Sequence, residues 1–155
     1  MLIIALTASV VALNAPPPAG RANVEADRFA VRINLASEQA VMTGALIGLE
    51  LTPAAYRFFH YERGDWKPMD SGRLRDGVFP ADVAIAFELP DAPRRNEPLQ
   101  EIDEDDDASN AAPNILFSPT GETTAVKVDF QARRVRVSLL LDDTGGLKVV
   151  RHDDR

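Results

Sequence analysis

The sequence predicts an α+β fold, one long amphipathic helix followed by seven or eight short strands in an antiparallel sandwich or sheet. Three observations predict it. Between residues 24 and 42 apolar side chains recur at three- and four-residue steps, the period of a helix with one buried face. After Gly44 the period changes to two, and short apolar runs alternate with turn residues. The chain has 155 residues, 45% of them hydrophobic and 26% charged, which suits one domain built on one core.

Residues 1–13 read MLIIALTASVVAL and carry no charge. As a helix they would reach about 20 Å, against about 30 Å of bilayer hydrocarbon. A secretory signal would need a basic stretch ahead of the apolar run, and a cut after Ala15 would meet Pro16. The more economical reading is the end of a membrane helix, presented by Leu2, Ile3, Ile4, Leu6, Val10, Val11 and Leu13. NAPPPAG at residues 14–20 then breaks it, because three successive prolines remove backbone donors and disfavour helix before them. Residues 1–22 are thus expected to be a partial transmembrane or assembly helix with a proline break, and residues 23–155 the folded body.

Asn23 is placed to cap the second helix, with Glu25 and Asp27 in its first turn. Ala26, Phe29, Ala30, Ile33, Ala36, Ala40 and Val41 form its apolar stripe, and Thr43-Gly44 ends it, giving a helix over residues 23–43 about 30 Å long. The β-rich body covers residues 45–151. Its expected strands are 45–51 (ALIGLEL), 56–61 (YRFFHY), 66–69, 73–74, 83–89 (VAIAFEL), 115–117, 125–130 and 135–141, with a weaker one at 147–151. Residues 90–113 stand apart. Glu97, Glu101, Asp103, Glu104, Asp105, Asp106 and Asp107 leave only Leu99 and Ile102 as sizeable apolar groups, so a mobile acidic loop is expected.

Composition narrows the chemistry. The net charge of −7 disfavours phosphate backbones, so no nucleic-acid partner is expected. Without cysteine there is no disulfide frame, thiolate metal site or catalytic thiol. His60 lies in a strand between Phe59 and Tyr61, and His152 in the tail, with no nucleophile and orienting carboxylate at useful spacing. Asp103, Asp105 and Asp107 imitate the start of a calcium loop, but the turn glycine and closing glutamate are missing. Asp142-Asp143-Thr144-Gly145-Gly146 reads as a turn, and so does Arg63-Gly64-Asp65. The expectation is therefore no catalytic residue, no cofactor, no metal and no small-molecule substrate. The aromatic residues Tyr56, Phe58, Phe59 and Trp66 read as core, because alternating aromatics usually pack a sheet on a helix. The expected helix–sheet core is Phe29, Ile33, Ala36 and Ala40 against Phe58, Trp66 and Phe117.

An uncharged helix, a proline break, an amphipathic helix and an all-β body, in that order, resemble the type IV pilin-like proteins. More narrowly, the chain resembles the minor pseudopilin H family of the type II secretion system. Residues 33–61, INLASEQAVMTGALIGLELTPAAYRFFHY, match that family's helix end, Thr-Gly turn and Tyr-Arg-Phe strand. Gly64-Asp65-Trp66-Lys67-Pro68-Met69, followed by Leu74-Arg75, is similar to its Gly-x-Trp-x-Pro-Leu segment. Ile115-Leu116-Phe117-Ser118-Pro119-Thr120-Gly121-Glu122 is similar to its apolar-Phe-x-Pro-x-Gly element.

The resemblance implies a pilin-like fold and a non-catalytic subunit, held in the inner membrane by one N-terminal helix with its body in the periplasm. Its implied partners are the other minor pseudopilins and the major pseudopilin, whose filament it would join to a tip complex for protein export across the outer membrane. Family precursors carry a basic leader and a Gly-Phe-Thr-Leu-x-Glu peptidase site, with methylation of the new N-terminal Phe. Met1 falls inside the apolar run, so these features are expected upstream of the sequence given. Two other readings stand beside it: a periplasmic or secreted β-sandwich that binds a ligand and has a degenerate signal peptide, and a minor pilin of a type IV pilus.

Overall fold

A computed structural model describes residues 20–69, 72–89 and 112–153. One helix, α1 (Arg21–Thr43), precedes nine strands: β1 (Ile47–Leu51), β2 (Ala55–Glu62), β3 (Asp65–Pro68), β4 (Gly77–Val78), β5 (Ala84–Glu88), β6 (Ile115–Phe117), β7 (Val126–Ala132), β8 (Val135–Leu141) and β9 (Leu147–Asp153). The first sheet has the order β3-β2-β1-β6, with β4 also on β2, and the second has the order β5-β7-β8-β9. Every pairing is antiparallel. The expected α+β fold is the one observed, with nine strands among the described residues rather than seven or eight.

The helix starts earlier than expected. Gly20 stands at the N-cap position and supplies no side-chain cap, and no acidic residue lies in the first turn. Asn23 is inside the helix, where its Oδ1 accepts a hydrogen bond from Arg151 Nε of β9 at 3.1 Å. Tertiary contacts take the place of a cap. Ala22 is fully buried. Arg21 pairs with Asp82 at 2.6 Å, and Arg151 with Asp27 at 2.8 Å. At the other end Gly44 takes φ 66°, the left-handed conformation that lets a chain leave a helix sharply.

The stripe carried by the helical period faces both sheets at once. Phe29 lies 5.3 Å from Tyr56, 5.8 Å from Phe79 and 5.8 Å from Phe130 between ring centroids. Phe29, Ile33, Ala36, Ala40, Phe58 and Phe117 are each 0–1% exposed. Around them Ile47, Leu49, Leu51 and Ile115 come from the first sheet, and Val126, Val128, Phe130, Val137 and Leu139 from the second.

Three placements correct the sequence reading. Residues 73–74 form no strand. Leu74 is instead fully buried, Arg32 donates to the Arg73 carbonyl, and the short strand is β4, opposite Ala55 and Tyr56. Trp66 lies outside the helix–sheet core. The β2–β3 register sets it opposite Tyr61, on the sheet face that also carries Phe59 and points away from α1. Val41, expected on the buried stripe, is 53% exposed, since it is one residue, or about 100°, round the helix from Ala40.

Candidate interaction surfaces

Polar clusters come first, because they decide whether the body carries chemistry. Among the described residues no group of three or more His, Asp or Glu side chains is arranged to hold a metal ion. The acidic residues 97–107 lie outside the described residues. Asp142 closes its own turn: Oδ1 accepts from Thr144 N at 3.0 Å, Thr144 Oγ1 at 2.7 Å and Gly146 N at 2.7 Å. The Thr144 hydroxyl and the Gly146 amide hold its carboxyl below the usual range. His60 stands 3.7 Å from Glu62, beside Lys67 across the β2–β3 pair.

The outer face of the second sheet brings together three residues that sequence spacing hides. Ser138 on β8 is 4% exposed and donates to Asp129 Oδ1 on β7 at 2.5 Å. His152 Nε2 on β9 lies 3.1 Å from the same hydroxyl oxygen. A hydroxyl has one hydrogen, and an ionised carboxylate can only accept. With that hydrogen on Asp129, His152 Nε2 must itself donate to Ser138. The imidazole therefore has no lone pair to take the serine proton, and the order Asp–Ser–His differs from the Asp–His–Ser order that activates a nucleophile. Burial pushes the Asp129 carboxyl up, but the Ser138 hydroxyl, Lys127 and Arg136 more than offset it, leaving the group below its ordinary range and ionised. The cluster ties three strands together and does not form a hydrolytic centre.

The apolar surface is the second resource. On α1, Val31 is 57% exposed and Met42 84%, on the side turned from the sheets. Beside the C-terminal half of the helix, Leu35, Glu38, Gln39, Met42, Thr43 and Arg73 line a hollow of about 330 Å³. On the outer face of the first sheet, Trp66 packs edge-on against Tyr61 with centroids 5.1 Å apart. Phe59 is nearly buried there, and the Arg57 guanidinium stands 5.7 Å over its ring while pairing with Glu50 at 2.7 Å.

Where the chain re-enters the first sheet after residue 111, two residues clip it down. A β-carbon on Gly48 would stand 2.6 Å from Pro113 Cβ and 2.8 Å from Trp66 Cζ3, so the proline sits in a notch that only glycine leaves open. Asn114 accepts from Leu51 N at 2.9 Å and donates to Leu51 O at 2.9 Å. Sequence reasoning missed this clip, since the partners are 63 residues apart; the glycine inside an apolar strand was the available signal.

The expected membrane or assembly residues, Leu2, Ile3, Ile4, Leu6, Val10, Val11 and Leu13, lie outside the described residues. Among the described residues no helix is long and apolar enough to cross a membrane.

Comparison with known proteins adds to this geometry. A family described as type II transport protein GspH matches residues 25–145. The type II secretion system protein H of Aeromonas hydrophila is 25% identical over 138 residues, covering 84% of this chain and 75% of that protein. A crystal structure of the minor pseudopilin EpsH from the type II secretion system of Vibrio cholerae aligns with a TM-score of 0.68 at 17% identity, covering 90% of this chain and 99% of that one. The solution structure of E. coli GspH aligns with a TM-score of 0.58 at 16% identity, covering 86% and 89%.

Proposed function

The chain belongs to the GspH family of type II transport proteins, and from that membership we propose that it works as a minor pseudopilin of the type II secretion system. Its N-terminal run anchors it in the inner membrane, its β-rich body stands in the periplasm, and it enters a short filament that links a tip complex to the major pseudopilin. Its work is assembly, not catalysis.

One observation carries the reading: among the described residues one long helix lies against two antiparallel sheets, and in the sequence a run of thirteen uncharged residues, 1–13, precedes it. A globular body gains nothing from such a run. A filament does, because apolar helices satisfy their own backbone and pack side by side while the bodies they carry touch around them. The exposed flank of α1, with Val31 and Met42, supports this, since it leaves apolar side chains for a neighbouring subunit. Two polar clusters among the described residues support it from the other side, since Asp142 holds its own turn and Asp129, Ser138 and His152 hold three strands together.

The test is genetic and physical together. Deleting the gene should stop release of the exported proteins, and the full chain supplied from a plasmid should restore it. Photo-crosslinkers placed at Val31 and Met42 should capture other pseudopilins in the restored cells. Normal export in the deletion strain would overturn the proposal, as would a chain cut after its triple proline and found free of the membrane.

A further inference from the structure

Five of the seventeen Lys and Arg residues of this acidic protein, Lys127, Arg133, Arg134, Arg136 and Lys148, lie on the outer face of the second sheet or in the β7–β8 turn beside it. The β7–β8–β9 register sets Gln131, Arg136 and His152 in one row, Asp129, Ser138 and Val150 in the next, and Lys127, Leu140 and Lys148 two residues further on. Beyond the first row the β7–β8 hairpin turns through Arg133 and Arg134, both exposed. Between the rows lies a cleft of about 250 Å³, floored by the Ser138 hydroxyl and walled by Leu140 and Val150. Among the described residues its acidic neighbours are Asp129, occupied by Ser138 and by Lys127 at 3.3 Å, and Glu88, opposite Lys127 on β5. Among the described residues Arg133, Arg134 and Arg136 have no ion-pair partner.

We propose that this face docks an extended acidic peptide segment presented by another chain, with Arg134 and Arg136 as its main anchors. The spacing fits that ligand. The arginine row and the Lys127–Lys148 row are four residues apart along the strands, about 13 Å, which is the separation of carboxylates at i and i+4 in an extended peptide. Guanidinium groups hold carboxylates through paired hydrogen bonds. A polyphosphate chain is the poorer match, because it has no apolar groups to set against Leu140 and Val150. The chemistry required is one that this sequence itself carries, as six acidic residues in the seven of 101–107. The inference stands apart from the secretion reading, and its test needs only the purified full chain.

The probe is a fluorescent peptide with the sequence of residues 97–108, followed by anisotropy at low salt. It should bind, weaken steeply between about 0.05 M and about 0.5 M salt, and fail when its acids are replaced by Asn and Gln. The pair R134E and R136E should weaken binding by about tenfold or more. Because Arg136 also holds the Asp129 carboxyl low, R134E alone, at an exposed turn residue, is the variant expected to weaken binding with the unfolding midpoint in place. The titration is repeated on a full chain whose own acids at 101–107 are changed to Asn and Gln. No binding to either chain overturns the proposal, and so does equal binding by the neutral peptide or by the charge-reversed pair. Binding to the neutralised chain alone overturns the assignment to another chain, because the protein's own segment then holds the face. Displacement by tripolyphosphate at the same charge concentration overturns the choice of a peptide.

Discussion

Pro113 closes over Gly48 so tightly that a β-carbon at the glycine would stand 2.6 Å from the proline Cβ. The Trp66 ring fills the other side of the same notch at 2.8 Å. Gly48→Ala should therefore cost about 1–3 kcal/mol, the range for forcing an extra carbon into a packed site. Gly48→Ala combined with Pro113→Gly should recover part of the loss, because glycine removes the Cβ and ring carbons that crowd the site. Urea unfolding of the four proteins checks it, and strict additivity would mean that the contact carries no coupling.

The core makes a larger demand. Phe29 is 1% exposed and touches one ring from each sheet, Tyr56 and Phe130, and that of Phe79 from the segment after β4. Phe29→Ala should destabilise by about 3–5 kcal/mol, the usual cost of emptying an aromatic site. Two residues along the same helix, Val31 is 57% exposed, and Val31→Ala should stay within about 0.5 kcal/mol of the parent. Thermal unfolding followed by circular dichroism separates the two.

Much of this was legible in the sequence, for a physical reason. Helical period and strand alternation report burial directly, so Phe29, Ile33, Ala36 and Ala40 on α1 and Phe58 and Phe117 on the sheet could be placed from pattern alone. Trp66 could not, because alternation says which residues share a face and not which face meets the helix; only the pairing of Tyr61 with Trp66 decides that. Phe79 lies between strands, where no period exists, and yet fills the core beside Phe29. Ser138, Asp129 and His152 come from three strands, and Asn114 reaches 63 residues back to Leu51. Such contacts depend on register and return path, which local pattern does not encode.

Acid should loosen the second sheet through Asp129. Burial raises its carboxyl pKa, but Ser138, Lys127 and Arg136 lower it further, so the folded value lies below the unfolded one. A depressed carboxyl contributes stability above the unfolded value, about 3.9, and loses it as pH falls through the folded value. Asp129→Asn removes the titration while keeping an acceptor for the Ser138 hydroxyl. Between about pH 6 and about pH 3 the melting temperature of the parent should fall more than that of the variant. Parallel curves would show that another carboxyl dominates the acid limb.

The exposed end of α1 gives the prediction that bears most directly on assembly. Val41 is 53% and Met42 84% exposed, and a lone folded body has no need of two adjacent apolar residues there. Changing both to Asp puts charge on that surface without touching the core, so stability should move by less than about 1 kcal/mol. Export in a complemented deletion strain should nevertheless drop severalfold, as charges are forced into an apolar contact between subunits. Val78→Asp is the control. Val78 is 81% exposed on the short strand β4, in a different element, and should leave export unchanged. If the helix pair exports as well as the control, the C-terminal end of α1 is solvent-facing in the working filament and the contact lies elsewhere on the body. If the pair also lowers the melting temperature by more than about 5 °C, the defect is one of folding. Single changes at Val41 and Met42, each screened first for an unshifted melting temperature, then isolate the effect on assembly.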